Sequence, residues 1–263
     1  MLRAMPSVEP GHVAAAFLAS LVAAAINSVA GGGTLISFPV LVALGLPSVV
    51  ANATSTVGIW PGTLGSIWGF RRELARADPV MRWLVIPCFV GGAAGALLLR
   101  QTSSATFDRI VPFLVLFASI LFAIRGKAQE WLRTKGGQEH RTRAWLAGAA
   151  VATLAVGVYG GYFGAGMSIM MLSMLGIVGM SDILEMNALT SLFSLCVNGV
   201  AIALFIAAKL VYWPFVLAMA VGALVGGYGA AGIARRIGRQ AVSRLVIVVG
   251  FTVSVVFFVR EFT

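Results

Sequence analysis

Measured from charge to charge, apolar stretches occupy residues 11–30, 34–46, 50–70, 83–99 and 110–124. After a polar stretch at 125–143 they recur at 144–161, 167–178, 186–208, 210–231 and 245–259. No Asp, Glu, Lys or Arg occurs in the 61 residues from Pro10 to Phe70. At about 1.5 Å per helical residue, that run is roughly three bilayer cores long, so it enters the membrane more than once. The pattern predicts an all-α polytopic membrane protein of two homologous halves, residues 1–124 and 144–263, joined by a cytoplasmic linker at 125–143.

Local matches support a duplication. Ala-Asn-Ala-Thr-Ser-Thr at 51–56 is echoed by Met-Asn-Ala-Leu-Thr-Ser at 186–191, and Val90-Gly91 with Gly95 by Val221-Gly222 with Gly226. Gly31-Gly32-Gly33 corresponds to Gly164-Ala165-Gly166. The second segment of each half has about a dozen residues, near 20 Å of helix, too short for a core of about 30 Å. Each half is therefore expected to open with a broken, re-entrant helix pair whose tip is the glycine turn, followed by three full spans. Such a chain is often counted as eight transmembrane helices. Non-helical backbone at membrane depth is tolerated where it is buried in protein or lines a polar cavity, so the turns should face one.

This layout inverts the chain once per half and sets both termini outside. The inside then holds Arg71, Arg72, Arg76 and Arg82, the six basic residues from Arg125 to Arg143, and Arg235, Arg236, Arg239 and Arg244, which is 14 of the 19. Arg3, Arg100, Arg109, Lys209 and Arg260 fall outside. Parallel halves of four spans would divide the charges 13 to 6, so the positive-inside rule barely separates the two. Length does: the 36 residues from Gly11 to Leu46 are too many for one ordinary span. Inverted repeats meeting at a midplane site are a recurrent transporter plan.

Composition narrows the function classes. With 59% hydrophobic and 11% charged residues and a mean hydropathy of +0.96, the chain is no water-soluble enzyme. The net charge of +10 would suggest nucleic acid in a soluble chain, but its clusters lie between apolar segments, as cytoplasmic loops do. Cys88 and Cys196 sit in apolar segments, and His12 and His140 in unrelated loops, so neither a disulfide framework nor a metal site is expected. Arg3 and the apolar run from Val13 to Ile26 have the look of a signal peptide. Their counterpart in the second half argues for a retained segment.

The strongest candidate chemistry lies at the two tips. Gly31, Gly32 and Gly33 interrupt the helix, and Thr34 starts the next one, so its free amides and positive dipole end would point at an anion. Gly164, Ala165 and Gly166 repeat the arrangement; close helix packing is the alternative use of both turns. Asn52, Thr54 and Ser55, with Asn187, Thr190 and Ser191, form a second set suited to hydrogen-bonding oxyanion oxygens or to capping helices. Asn198, about three turns into its segment, suits a cavity wall or an interhelical hydrogen bond. Arg71 and Lys209 end the third segments; they are candidate substrate contacts whose default is to snorkel to the interface. Carboxylates are missing from segment interiors, so no proton relay is evident, and Glu185 is the nearest one. Tyr159, Tyr162 and Trp60 are read as packing with a gating alternative. Gly65 with Gly69, Gly91 with Gly95, and Gly222 with Gly226 are read as close helix approach within a protomer, with a homodimer as the other reading. No nucleophile, base and orienting acid can be assembled.

The run Ile26-Asn27-Ser28-Val29-Ala30-Gly31-Gly32-Gly33 with Pro39, Gly45 and Ala-Asn-Ala-Thr at 51–54 resembles the first-half signature of the sulfite exporter TauE/SafE family. Residues Gly157 to Gly166, followed by Asn187-Ala188 and Asn198, are similar to its second-half signature. Met167-Ser168 departs from the small residues that often follow there. The resemblance implies a bacterial inner-membrane transporter for sulfite, sulfonates or other small organic anions, with no enzymatic cofactor and no nucleic-acid partner. The expectation is export of a small oxyanion by alternating access between the two broken helices. A non-transporting membrane scaffold or assembly factor is the alternative; it predicts tips without a solvated cavity.

Overall fold

The computed structural model describes residues 8–30, 32–135, 143–180, 182–237 and 239–262, and among them every regular element is an α-helix. The first half contains α1 (Pro10–Ala30), α2 (Thr34–Ala43), α3 (Ser48–Ile59), α4 (Pro61–Gly69), α5 (Arg71–Arg76), α6 (Pro79–Trp83), α7 (Val85–Gln101) and α8 (Ser104–Lys135). The second contains α9 (Arg143–Tyr162), α10 (Met167–Ile177), α11 (Ile183–Ala207), α12 (Trp213–Ile237) and α13 (Arg239–Phe262). Five stretches are long and apolar enough to cross a bilayer: Pro10–Asn27, Met81–Gln101, Ser104–Ile124, Trp145–Tyr162 and Ile183–Ala207. The chain is a multi-pass membrane protein.

Two departures from the apolar pattern have local causes. The stretch 50–70 is not one helix, because Pro61 has no amide to donate and its ring disfavours a continuous turn. α3 therefore ends at Ile59 and α4 restarts at Pro61. Its counterpart α11 lacks a proline and runs unbroken for 25 residues. At the other boundary, α8 continues past its apolar part to Lys135, so the polar stretch begins as helix.

Helices of the two halves interlock. α1 lies along α12, and α9 lies along α7. The small-residue pairs make both contacts possible. A Cβ on Gly222 or Gly226 would press on the Phe17 or Leu21 carbonyl of α1, and one on Gly91 or Gly95 on the Leu154 or Val158 carbonyl of α9. Gly65 and Gly69 differ, since nothing lies within 4 Å of a Cβ there. α8 packs on α13, and Ser254 donates to the Pro112 carbonyl at 3.1 Å, tying the two helices together.

α7 is 17 residues long, about 25 Å, and its ends mark two faces of the bundle. Beside its C-terminal end, the α2–α3 turn at Gly45–Ser48, the α7–α8 turn, Leu210 and the end of α13 surround an open cleft of about 620 Å³. Beside its N-terminal end, the amide of Asp78 donates to Glu185 Oε1 at 3.2 Å, and Ala77, Met81 and Leu84 join Met171, Leu175 and Met186 in a core cluster. The α2–α3 and α10–α11 turns thus lie at opposite faces.

Candidate functional site

Between the two glycine turns lies a cavity of about 40 Å³. Gly32 (φ +86°) and Gly164 (φ +80°) both line it in left-handed backbone conformations that a side chain would strain. Gly33 packs so closely that a Cβ would meet the Ala23 carbonyl, which keeps the start of α2 tight against α1. Thr34, the first residue of α2, lines the cavity from one half; Met167 and Ser168, the first of α10, line it from the other. The opening amides of both helices bond carbonyls of the glycine turns, Leu35 on Gly32 at 3.0 Å and Met167 on Gly164 at 3.2 Å, and the positive dipole ends of the two helices converge here.

The third wall comes from the α3–α4 break and from α11. Trp60 sits at the break, and its indole Nε1 is buried without a hydrogen-bond partner. On α11, Ser194 and Asn198 line the cavity one turn apart; Ser194 is buried and its Oγ also lacks a partner. Thr56 and Thr63 are different, because their hydroxyls already donate to the Asn52 and Trp60 carbonyls, at 2.9 and 2.7 Å. A buried polar group left unpaired costs about 1–3 kcal/mol, so two such donors at one small cavity call for an acceptor. Among the described residues, none that lines the cavity is charged.

Of the residues singled out from the sequence, Gly32, Thr34, Gly164 and Asn198 are brought together on this cavity. Gly31 lies outside the described residues. Gly33 caps α2 behind the cavity, while Gly166 (φ +79°) caps α10. Ala165 is buried and its carbonyl accepts from the Tyr159 hydroxyl at 2.7 Å. The remaining polar candidates are engaged elsewhere. Asn52 Nδ2 donates to the Tyr162 carbonyl at 3.0 Å, fastening α3 to the second turn, although its Oδ1 has no partner. Thr54 Oγ1 accepts from the Tyr212 amide at 3.0 Å, and Ser55 pairs with Ser37 at 2.6 Å. Asn187 donates to the Ile183 carbonyl in its own helix, as Ser191 does to Asn187. Thr190 is buried with an unpaired hydroxyl but does not line the cavity.

The two terminal cations lie away from the cavity. Arg71 is exposed; it donates to the Trp68 carbonyl at 2.8 Å and stacks over the Trp68 ring at 4.9 Å. Exposed Lys209 occupies a left-handed position (φ +56°) in a C-terminal cap of α11, with its amide on Ile206 and that of Leu210 on Phe205.

Ser194 was not among the residues picked from the sequence, and Trp60 was read there as packing or gating, not as a hydrogen-bond donor. The spacing of Ser194 and Asn198, four residues apart, does put both on one helix face. Pro61 could also have flagged the break that turns Trp60 inward. Between the cavity and the cleft stands a layer of aromatic rings: Phe38 meets Phe163 edge-on at 5.6 Å and Phe107 at 6.3 Å, and Phe107 meets Tyr162 at 5.6 Å.

Known proteins bear on the chemistry. The family model described as "Sulfite exporter TauE/SafE" matches residues 16–257. A "Probable membrane transporter protein" of Haemophilus influenzae is 26% identical over 236 residues, covering 89% of this chain and 90% of its own. The "Probable membrane transporter protein YfcA" of Escherichia coli strain K12 is 26% identical over 249 residues, covering 94% and 90%. The "Probable membrane transporter protein ORF9" of a Sinorhizobium species is 23% identical over 240 residues, covering 91% and 89%. No solved structure matches the chain.

Proposed function

Because the chain belongs to the sulfite exporter TauE/SafE family of membrane transporters, we propose that it carries a small oxyanion, sulfite or a compact organosulfonate, outward across a bacterial inner membrane. The substrate site in this reading is the cavity between the glycine turns. Two helix N-termini, Trp60 Nε1, Ser194 Oγ and Asn198 hold the anion, and no fixed cation is needed. In a low-dielectric site, preoriented neutral donors interact strongly with an anion and need no reorganisation when it arrives. A buried lysine would instead add its own desolvation cost. The carrying observation is the pair of unpartnered donors at a cavity both turns share.

Alternating access follows from the arrangement of turns. Turns that return to opposite faces support inverted repeats, with the cleft on the outer face under the charge distribution above. Since α1 is bound to α12 and α7 to α9, the bodies that move combine helices of both sequence halves. Opening outward requires the Phe38–Phe163 contact to part.

Proteoliposomes loaded with labelled sulfite, methanesulfonate or small carboxylates test the proposal. Sulfite efflux should exceed that of protein-free vesicles. Ser194→Ala or Trp60→Phe should each weaken apparent affinity about 10- to 100-fold, as expected for losing a hydrogen bond to a charged partner. Absence of flux for every anion, together with a stable protein complex on co-purification, would favour a scaffold and defeat the transport reading.

A further inference from the structure

The cleft on the face carrying the α2–α3 turn shares no lining residue with the inner cavity. We propose that it is a second anion site, a shallow station for oxyanion headgroups that also admits sulfonates too bulky for the inner cavity. The ligand class rests on the reading of the inner cavity; the geometry does not.

Three features converge on the cleft. First, the opening turn of α3, from Ser48 to Val50, lines it with no side chain capping that helix; the first of its amides to find a backbone carbonyl is that of Ala51, on Pro47. Second, Ser48, a residue of the cleft lining, is only 4% exposed, and its buried Oγ has no hydrogen-bond partner. A buried donor at an uncapped helix start has the same need as Ser194 and Trp60 at the inner cavity. Third, Arg100 and Arg260 line the cleft, and among the described residues neither has a carboxylate within 4 Å. Of the acidic residues on the same lining, Glu261 is met by Arg109 at 3.7 Å, while Asp108 is exposed. With Glu261 paired to Arg109, which is not on the lining, Arg100 and Arg260 face the carboxylate of Asp108 alone. Helix end, hydroxyl and guanidinium fork together are the donor set that sulfonate and sulfite oxygens use.

Size separates the two sites. The cleft, at about 620 Å³, is in the range of ordinary small-molecule pockets, whereas about 40 Å³ accommodates only a compact anion. The floor of the cleft includes Phe38, one aromatic layer from the second glycine turn. An occupant of the cleft is therefore held where opening of that layer would receive or release it.

Equilibrium binding of radiolabelled sulfite to the full chain in nanodiscs at low ionic strength tests the proposal. Two bound anions per chain are expected. Arg100→Gln with Arg260→Gln should remove one of them, while the Lys pair at the same positions retains it in part. Ser48→Ala should weaken the same site several-fold. A morpholinoethanesulfonate probe should displace sulfite from this site alone, and a roughly tenfold rise in ionic strength should weaken it several-fold because exposed charges are screened. Gly164→Val should remove the other site and leave this one. Unchanged stoichiometry and affinity in the double Gln variant, or failure of the bulky sulfonate to compete, would overturn the cleft site. Unchanged binding in Gly164→Val would instead overturn the inner one.

Discussion

The inner cavity and the outer cleft flank one aromatic layer and are built from opposite materials. Around the cavity the polar groups are neutral: glycine-turn amides, an indole, a hydroxyl and asparagine side chains. Around the cleft, arginines stand beside the carboxylates of Asp108 and Glu261 with a helix start behind them. The difference follows from the dielectric. Near water a guanidinium stays solvated and attracts anions over a Debye length, whereas at membrane depth the same group would have to be desolvated first. Fixed dipoles avoid that cost and can release the anion as readily as they take it. Under the two proposals, attraction and selection fall to separate chambers, and sequence composition alone, which registers only a +10 charge, merges them.

The contrast can be broken most forcefully at the turns. Gly164→Val places a β-branched residue at φ +80°, and Gly33→Val drives a side chain into the Ala23 carbonyl. Both should abolish sulfite flux in proteoliposomes; sizeable flux in either would deny the turns their role. Next, Phe38→Ala empties a fully buried ring position at the partition. It should cost about 3–5 kcal/mol of stability and join the two chambers, read as a lower melting temperature with faster labelling of a cysteine replacing the cavity-lining Ser168 from the cleft side. An introduced cation should act in the opposite sense: Ser194→Lys ought to tighten binding, slow release and trap sulfite, so that apparent affinity rises while turnover falls. The smallest effect is expected at Lys209. Lys209→Gly relieves a left-handed backbone position and should stabilise by about 1 kcal/mol with flux unchanged. A loss of flux there would return Lys209 to the substrate path.

The helix-rich, membrane-spanning character and the glycine turns were legible because each depends on short-range properties: apolar length, charge gaps and the absence of Cβ atoms. The family was legible from the same turns. The division of labour among the polar residues was not. Thr54 and Ser55 look as available as Ser194 in the sequence, yet Thr54 meets a backbone amide 158 positions away and Ser55 meets a hydroxyl on α2. A hydroxyl is free or engaged according to tertiary contacts, and local patterning carries no record of them. Trp60 illustrates the converse. Its inward turn depends on Pro61 ending α3, a local signal hidden inside an otherwise continuous apolar stretch.

The pairing of α1 with α12 has a consequence for how the protein is made. Gly222 and Gly226 of α12 close on α1, yet α1 ends at Ala30 and α12 begins at Trp213. At synthesis rates of about 5–20 residues per second, roughly 10–40 seconds separate the two helices during translation. Throughout that interval the surface of α1 around Phe17 and Leu21 has only lipid, the insertion machinery or a chaperone to lie against.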